Sequence, residues 1–252
     1  MRNFLVLSLL FCFLTSILSA AQDTKADTSA PEPNTKASGR VEAAGTILDE
    51  IQAAPDKGIP EEVLGSAECV AVVPSLLNGG FVFGGRYGKG VASCRTEKGW
   101  SAPAFFTLTG GNWGAQIGVE DIHLVILIMN DKGMNDLLKD KVQIGAEASA
   151  SAGPVGRHAS AGTDWKLDTE MLTYSRSKGL FAGVDLGGSY IERDKDTNLA
   201  MYGREVTTTE LLTGKVAPPP EARAFLNVVG NVKSEAKNPD EKHVDKTTGQ
   251  KY

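Results

Sequence analysis

Asn78-Gly79-Gly80-Phe81-Val82-Phe83-Gly84-Gly85-Arg86-Tyr87-Gly88-Lys89-Gly90-Val91 sets aromatic and β-branched residues between repeated glycines. The first kind favours extended backbone, whereas glycine inside a strand marks a bulge, a sharp bend or the close approach of a second backbone. Eleven of the chain's 28 glycines fall between Gly79 and Gly118, and ordinary turns account for only some of them. The remainder predict a strongly coiled sheet or a small barrel-like core.

Outward from this stretch, extended patterns are read at Cys69–Val73, Phe81–Phe83, Gly90–Arg95, Trp100–Leu108, Trp113–Val119 and Ile122–Met129. They resume at Val142–Ala150, His158–Trp165, Met171–Ser175 and Leu180–Ile191, with Glu192–Asn198 read as a charged turn. The Ile122–Met129 run is far short of the about 20 residues a membrane helix needs, so it reads as a buried central strand. Val41, Ala44, Ile47, Leu48 and Ile51 recur at helical spacing after Ser38 and before Pro55, opposite an acidic face. A membrane-surface helix usually carries Lys and Arg there, so this one is expected to pack on the core. Short helices follow at Glu61–Ala67 behind Pro60, from Gly133 to Lys139, and over Pro220–Val232. The fold class is therefore α+β, predominantly antiparallel β, with a few flanking helices.

The chain's ends read differently. Residues 1–21 carry Arg2, an apolar run from Phe4 to Leu18 and then Ser19-Ala20-Ala21, the pattern of a secretory signal cut near Ala21. Leu9-Leu10-Phe11 precedes Cys12 where a lipid-attachment signal would carry small residues. Residues 22–39 and 233–252 lack enough large apolar side chains to offset their ordering entropy and are expected to be a disordered leader and tail around a domain at 40–232. The net charge of −5 offers no overall positive field to nucleic acid. Any anionic partner must be held by a local patch.

Export leaves Cys69 and Cys94 in an oxidising compartment, where a pair of cysteines is more often a disulfide than a metal site. Strands lie about 4.8 Å apart, so in a simple meander with Phe81–Phe83 between them the two cysteines are too far apart to bridge. A disulfide requires Cys69–Val73 and Gly90–Arg95 to be direct neighbours, and spacing alone leaves both arrangements open.

Enzyme signatures fail one by one. Gly85-Arg86-Tyr87-Gly88-Lys89-Gly90 has glycine where a phosphate loop needs Ser or Thr after its lysine, and Gly88-Lys89-Gly90-Val91-Ala92-Ser93 lacks the third glycine of a dinucleotide fingerprint. His123, His158 and His243 have no metal-ligand spacing, and no serine occupies a nucleophile elbow. No catalytic residue, cofactor or metal is expected. What remains is a set of cations among glycines and aromatics: Arg86, Lys89, Arg95, Arg157, Arg176 and Lys178. Guanidinium and exposed backbone N–H suit a phosphate, and the same residues also suit solvated strand ends.

Seven segments in order resemble one family: Gly58-Ile59-Pro60, Ala71-Val72-Val73-Pro74, Gly80-Phe81-Val82-Phe83-Gly84-Gly85, Gly99-Trp100-Ser101-Ala102-Pro103-Ala104-Phe105, Gly114-Ala115-Gln116-Ile117-Gly118, Ala152-Gly153-Pro154-Val155-Gly156-Arg157, and Tyr174-Ser175-Arg176-Ser177-Lys178-Gly179-Leu180-Phe181-Ala182-Gly183. They are similar to the SYLF domain, also called the Ysc-type actin-binding domain. The resemblance implies a lipid-binding module without enzymatic activity, whose eukaryotic relatives bind phosphoinositide membranes or actin, often beside an SH3 or FYVE domain. This chain departs in its signal sequence, its acidic first helix and the lack of a second domain. Export removes actin and phosphoinositides from reach, which narrows the expectation to an exported, periplasmic or secreted module at an anionic lipid surface. Arg157, Arg176, Lys178, Arg86 and Lys89 are the expected head-group contacts. The alternative is an envelope structural or protein-interaction module.

Overall fold

The computed structural model describes residues 33–53, 58–154, 169–177, 180–182 and 184–231. The first helix, α1 (Pro33–Gln52), is followed by α2 (Glu61–Gly65), and two long strands then dominate: β1 (Cys69–Thr96) and β3 (Ala104–Ile128), joined through the short β2 (Gly99–Trp100). Next come α3 (Asp131–Leu137), β4 (Lys141–Gln143), β5 (Ala150–Ala152), β6 (Met171–Ser177), β7 (Leu180–Ala182) and β8 (Ser189–Arg193). The described chain ends with α4 (Lys195–Tyr202), α5 (Thr208–Leu212), a 3₁₀ turn (Pro220–Ala222) and α6 (Arg223–Asn231). Antiparallel pairing predominates, β5 with β6 being parallel, and the sheet curls into a half-barrel. The expected α+β class, mostly antiparallel and strongly coiled, is what the chain adopts.

The coiling is concentrated in β1. A straight strand joining residues 69 and 94 would span roughly 80 Å at about 3.3 Å per residue, yet the Cα atoms of Cys69 and Cys94 are 3.9 Å apart and their sulfurs are bonded. Three features turn the strand back on itself. The register jumps from Val73↔Leu124 to Leu76↔Ile122, leaving Pro74, which has no N–H for the ladder, in a bulge. A second irregularity lies between Gly80↔Gly118 and Val82↔Gly114. Finally, Gly88 packs against the strand's own beginning: a Cβ there would stand 2.6 Å from Val73 Cγ1 and 2.9 Å from the Ser75 carbonyl.

The extended segments read as separate at 69–73, 81–83 and 90–95 are thus one strand, because bulge and glycine bend the ladder without ending it. The neighbour condition for the disulfide is met in an unforeseen form, by two ends of the same strand, with the Arg95 N–H donating to Glu68 O at 2.7 Å. Gly88→Ala should cost about 1–3 kcal/mol, since a stiff valine branch and a backbone oxygen must both move. Gly85→Ala, whose Cβ would meet only Gly110 O at 3.7 Å, should change little. Urea unfolding of the two variants checks the contrast.

Alternation along the strands divides the core. Val70, Val72, Val125 and Leu127 face α1, α2 and α6, together with Val41, Leu48, Leu64 and Phe225. Cys69, Ala71, Val73, Leu124, Ile126 and Ile128 face the inside of the curl with Val142, Ile191 and Leu211. Burial on both faces explains the unbroken apolar run at 122–128. On α1, Val41, Ala44, Leu48 and Ile51 are buried while Glu42, Asp49 and Glu50 are exposed, so the helix packs on the core.

Two local readings need correction. Helix α1 starts at Pro33, so 33–39 is helix and Ser38 lies inside it. Ala37 is fully buried, and its packing holds the extra turns in place. Nor is 192–198 a charged turn: β8 runs to Arg193, and Asp194 then caps α4 by accepting the Thr197 N–H at 3.1 Å. The helix is anchored by buried Asn198, which exchanges hydrogen bonds with Phe105 N and O.

Between buried Leu76 and Gly88 of β1, and between buried Leu108 and Ile122 of β3, the two strands leave the core as a paired ribbon, 77–87 with 109–121. Its described side chains are all at least partly exposed.

Candidate functional site

At the foot of this ribbon an open pocket of about 280 Å³ lies beside the Pro74 bulge. Leu77 and Tyr87, 45% and 48% exposed, form its apolar side, and Arg40 of α1 and Lys89 of β1 its polar side. Both cations reach one oxygen. Asp194 Oδ2 accepts from Lys89 Nζ at 2.9 Å, Arg40 NH1 at 3.2 Å and Thr197 Oγ1 at 2.7 Å. Burial works to raise the Asp194 carboxyl, but hydrogen bonds from Lys89, Thr197 and Arg40 outweigh it and hold the group at about 2. The Arg40 guanidinium also lies over the Phe105 ring, 5.4 Å from its centroid.

The pocket's own lining carries two cations and no carboxylate: Asp194 lies behind them, and Asp121 reaches the rim through Ser75. Only part of the donor capacity is used on Asp194: Lys89, with 41% of its side chain exposed, has two further N–H donors. The arrangement suits an anion attached to an apolar body. A larger cavity of about 450 Å³ near α4 is lined by Arg193 and Lys195 but also by Asp196 and Glu205, so it has no surplus of either sign. Among the described residues no cluster of His, Cys, Asp and Glu is arranged to hold a metal. No described helix is long and apolar enough to cross a membrane.

Residues 109–232 match the family described as Las17-binding protein actin regulator, Ysc84. The chain carries a Ysc84-family (SYLF) domain. Protein YSC84 of Saccharomyces cerevisiae is 35% identical over 178 residues, 69% of this chain and 38% of that protein. SH3 domain-containing protein PJ696.02 of Schizosaccharomyces pombe is 36% identical over 177 residues, covering 69% and 41%. SH3 domain-containing YSC84-like protein 1 of Rattus norvegicus is 31% identical over 179 residues, covering 70% and 52%. The chain thus spans about two fifths to one half of the length of these curated relatives. The family description names binding and regulation rather than a reaction.

The pocket's cations, Arg40 and Lys89, precede the matched segment 109–232, whereas Asp194 and Thr197, to which they are bonded, lie inside it. Of the described cations expected from sequence, only Lys89 lies in this pocket. Arg86 donates to the Asp185 carbonyl, its Nε is buried without a hydrogen-bond partner, and burial lowers its pKa against the raising influence of Asp185. Arg176 is paired with Glu50 of α1 at 3.3 Å. Arg95 closes the end of α2, donating to Ala67 O at 2.8 Å and Gly65 O at 3.1 Å while its guanidinium lies over Trp100. Arg157 and Lys178 lie outside the described residues. Sequence reasoning missed Arg40, because it stands at the edge of the segment read as leader, and Asp194, because it was read as part of a solvated turn.

Proposed function

We propose that this chain is an exported, non-enzymatic module that holds anionic lipid head groups at an envelope membrane surface. The observation that carries the reading is the Arg40–Lys89 pocket, whose lining sets two cations and no carboxylate beside exposed Leu77 and Tyr87 in a chain of net charge −5. A phosphate takes the unused donors of Lys89 while the attached apolar body lies along Leu77 and Tyr87. Arg157, Arg176, Lys178 and Arg86 are further contacts in this reading, Arg176 by exchanging Glu50 for lipid phosphate. Export is supported by residues 1–21 and by a disulfide that belongs in an oxidising compartment.

A second reading, a protein-interaction module, is favoured by the family description as Las17-binding protein actin regulator. Flotation with phosphatidylcholine vesicles, with and without phosphatidylglycerol, separates the two. The lipid reading expects binding only to the anionic vesicles, weakened by salt. Lys89→Gln should weaken it about fivefold, since one basic residue near such a surface contributes roughly 1 kcal/mol. Failure to float with any vesicle, together with stable co-purification of a protein, would establish the second reading instead.

A further inference from the structure

The ribbon 77–87/109–121 carries three of the four large hydrophobic side chains exposed among the described residues: Leu77, Tyr87 and Val119, the last 77% exposed. Among the described residues its edges are also open, over 77–87 on β1 and 111–121 on β3. Among the described residues the second partners of β3 are β8 at Phe106–Gly110 and β6 at His123–Ile128, and β1 pairs here only with β3. Charge is distributed unevenly along it. From Cys69 to Gly85 and from Ser101 to Val119 the sequence contains no Asp, Glu, Lys or Arg. Charges begin at the foot, with Arg86 and Lys89 on one strand and Glu120 and Asp121 on the other, Asp121 accepting from Ser75 Oγ at 2.7 Å.

We infer that this ribbon enters the head-group layer of a membrane as a shallow apolar wedge, an inference that rests on the lipid reading above. Leu77 and Tyr87 belong both to the pocket and to the first turn outward of the ribbon, so the two surfaces are continuous. With the ribbon inserted, the part-exposed Lys89 at its foot meets the anionic head groups. The open edges set the depth. Unpaired backbone N–H and C=O groups are expensive in hydrocarbon, which admits only helices and closed barrels, so the ribbon stops where water and head groups still reach its edges. Leu77 to the bend near Val82 spans roughly 15–20 Å at about 3.3 Å per residue, long enough to pass through the head groups.

Val119→Glu and Val119→Leu in the full chain test this by flotation with vesicles of phosphatidylcholine and phosphatidylglycerol, with thermal unfolding as the check on folding. Val119 is exposed, so both variants should unfold with the wild type. Val119→Glu should bind about tenfold more weakly or worse, since it removes the valine that the wedge buries in lipid and sets a carboxylate against anionic head groups. Val119→Leu should bind at least as well as the wild type. Equal binding by Val119→Glu, with Lys89→Gln still impaired, would overturn the wedge and leave the head-group pocket standing. Failure of the wild type to float would overturn both. Loss of a co-purifying protein by Val119→Glu, without loss of vesicle binding, would make the ribbon a protein-docking surface and overturn the wedge.

Discussion

Replacing Asp194 with alanine is expected to lower the unfolding free energy by about 3–5 kcal/mol, the cost of removing one partner from a buried ion pair. Asp194 is buried and serves four donors, from Arg40, Lys89, Thr197 Oγ1 and Thr197 N. Without it, Arg40, whose side chain is only 12% exposed, keeps its charge against Phe105 but loses its ion-pair partner, and α4 loses its cap. Asp194→Asn retains a capping oxygen and should lose less.

The carboxyl also gives acid sensitivity a definite sign. Its folded value of about 2 lies below the ordinary 3.8. The stability it contributes is therefore fully present above about pH 4 and is lost as pH falls through about 2. Urea midpoints at pH 7, 4 and 2.5 should fall more steeply for the wild type than for Asp194→Asn. Some acid dependence will persist, because Glu170 is also held low: burial would raise it, but Lys132 and Ser149 outweigh that effect. Parallel curves for the two proteins would show that the Asp194 cluster does not set the acid limb.

Removing the disulfide should have an effect of similar size. Cys69 and Cys94 are 25 residues apart, and a loop of that length corresponds to about 3.5 kcal/mol in the chain-entropy account. The double substitution Cys69→Ala/Cys94→Ala avoids leaving one thiol behind in the core. Both cysteines are fully buried, so reductant alone should act on the native protein only as fast as the ends of β1 separate. The Arg95 amide, which bonds to Glu68 O across that closure, should exchange with solvent sooner in the double variant. A loss below about 1 kcal/mol would mean that the Pro74 bulge and the Gly88 crossing close the strand without help.

Much of the fold was legible because it depends on near neighbours. The period of Val41, Ala44, Leu48 and Ile51 gave a helix whose acidic side faces solvent, and Pro60 placed the start of α2. The apolar run at 122–128 announced a strand buried on both faces, and the glycines between 79 and 118 announced coiling. Less legible was how far a single strand could be carried. Phe81–Phe83 looked like an isolated segment because glycines bounded it, whereas glycine bends the ladder there without interrupting it. The α4 segment was misread because its polar residues point inward, and burial of Asp194 and Asn198 is decided by Arg40, Lys89 and Phe105.

The sequence by itself determined the α+β class, the coiling of the sheet, the family likeness and the condition under which Cys69 could meet Cys94. Only the tertiary structure decided that the condition is met by one strand returning on itself, and that Arg40 and Lys89 share Asp194 across 154 and 105 residues of chain. Periodicity and turn chemistry act over a few residues, whereas a pocket's charge depends on which distant side chains the curled sheet brings within hydrogen-bonding distance.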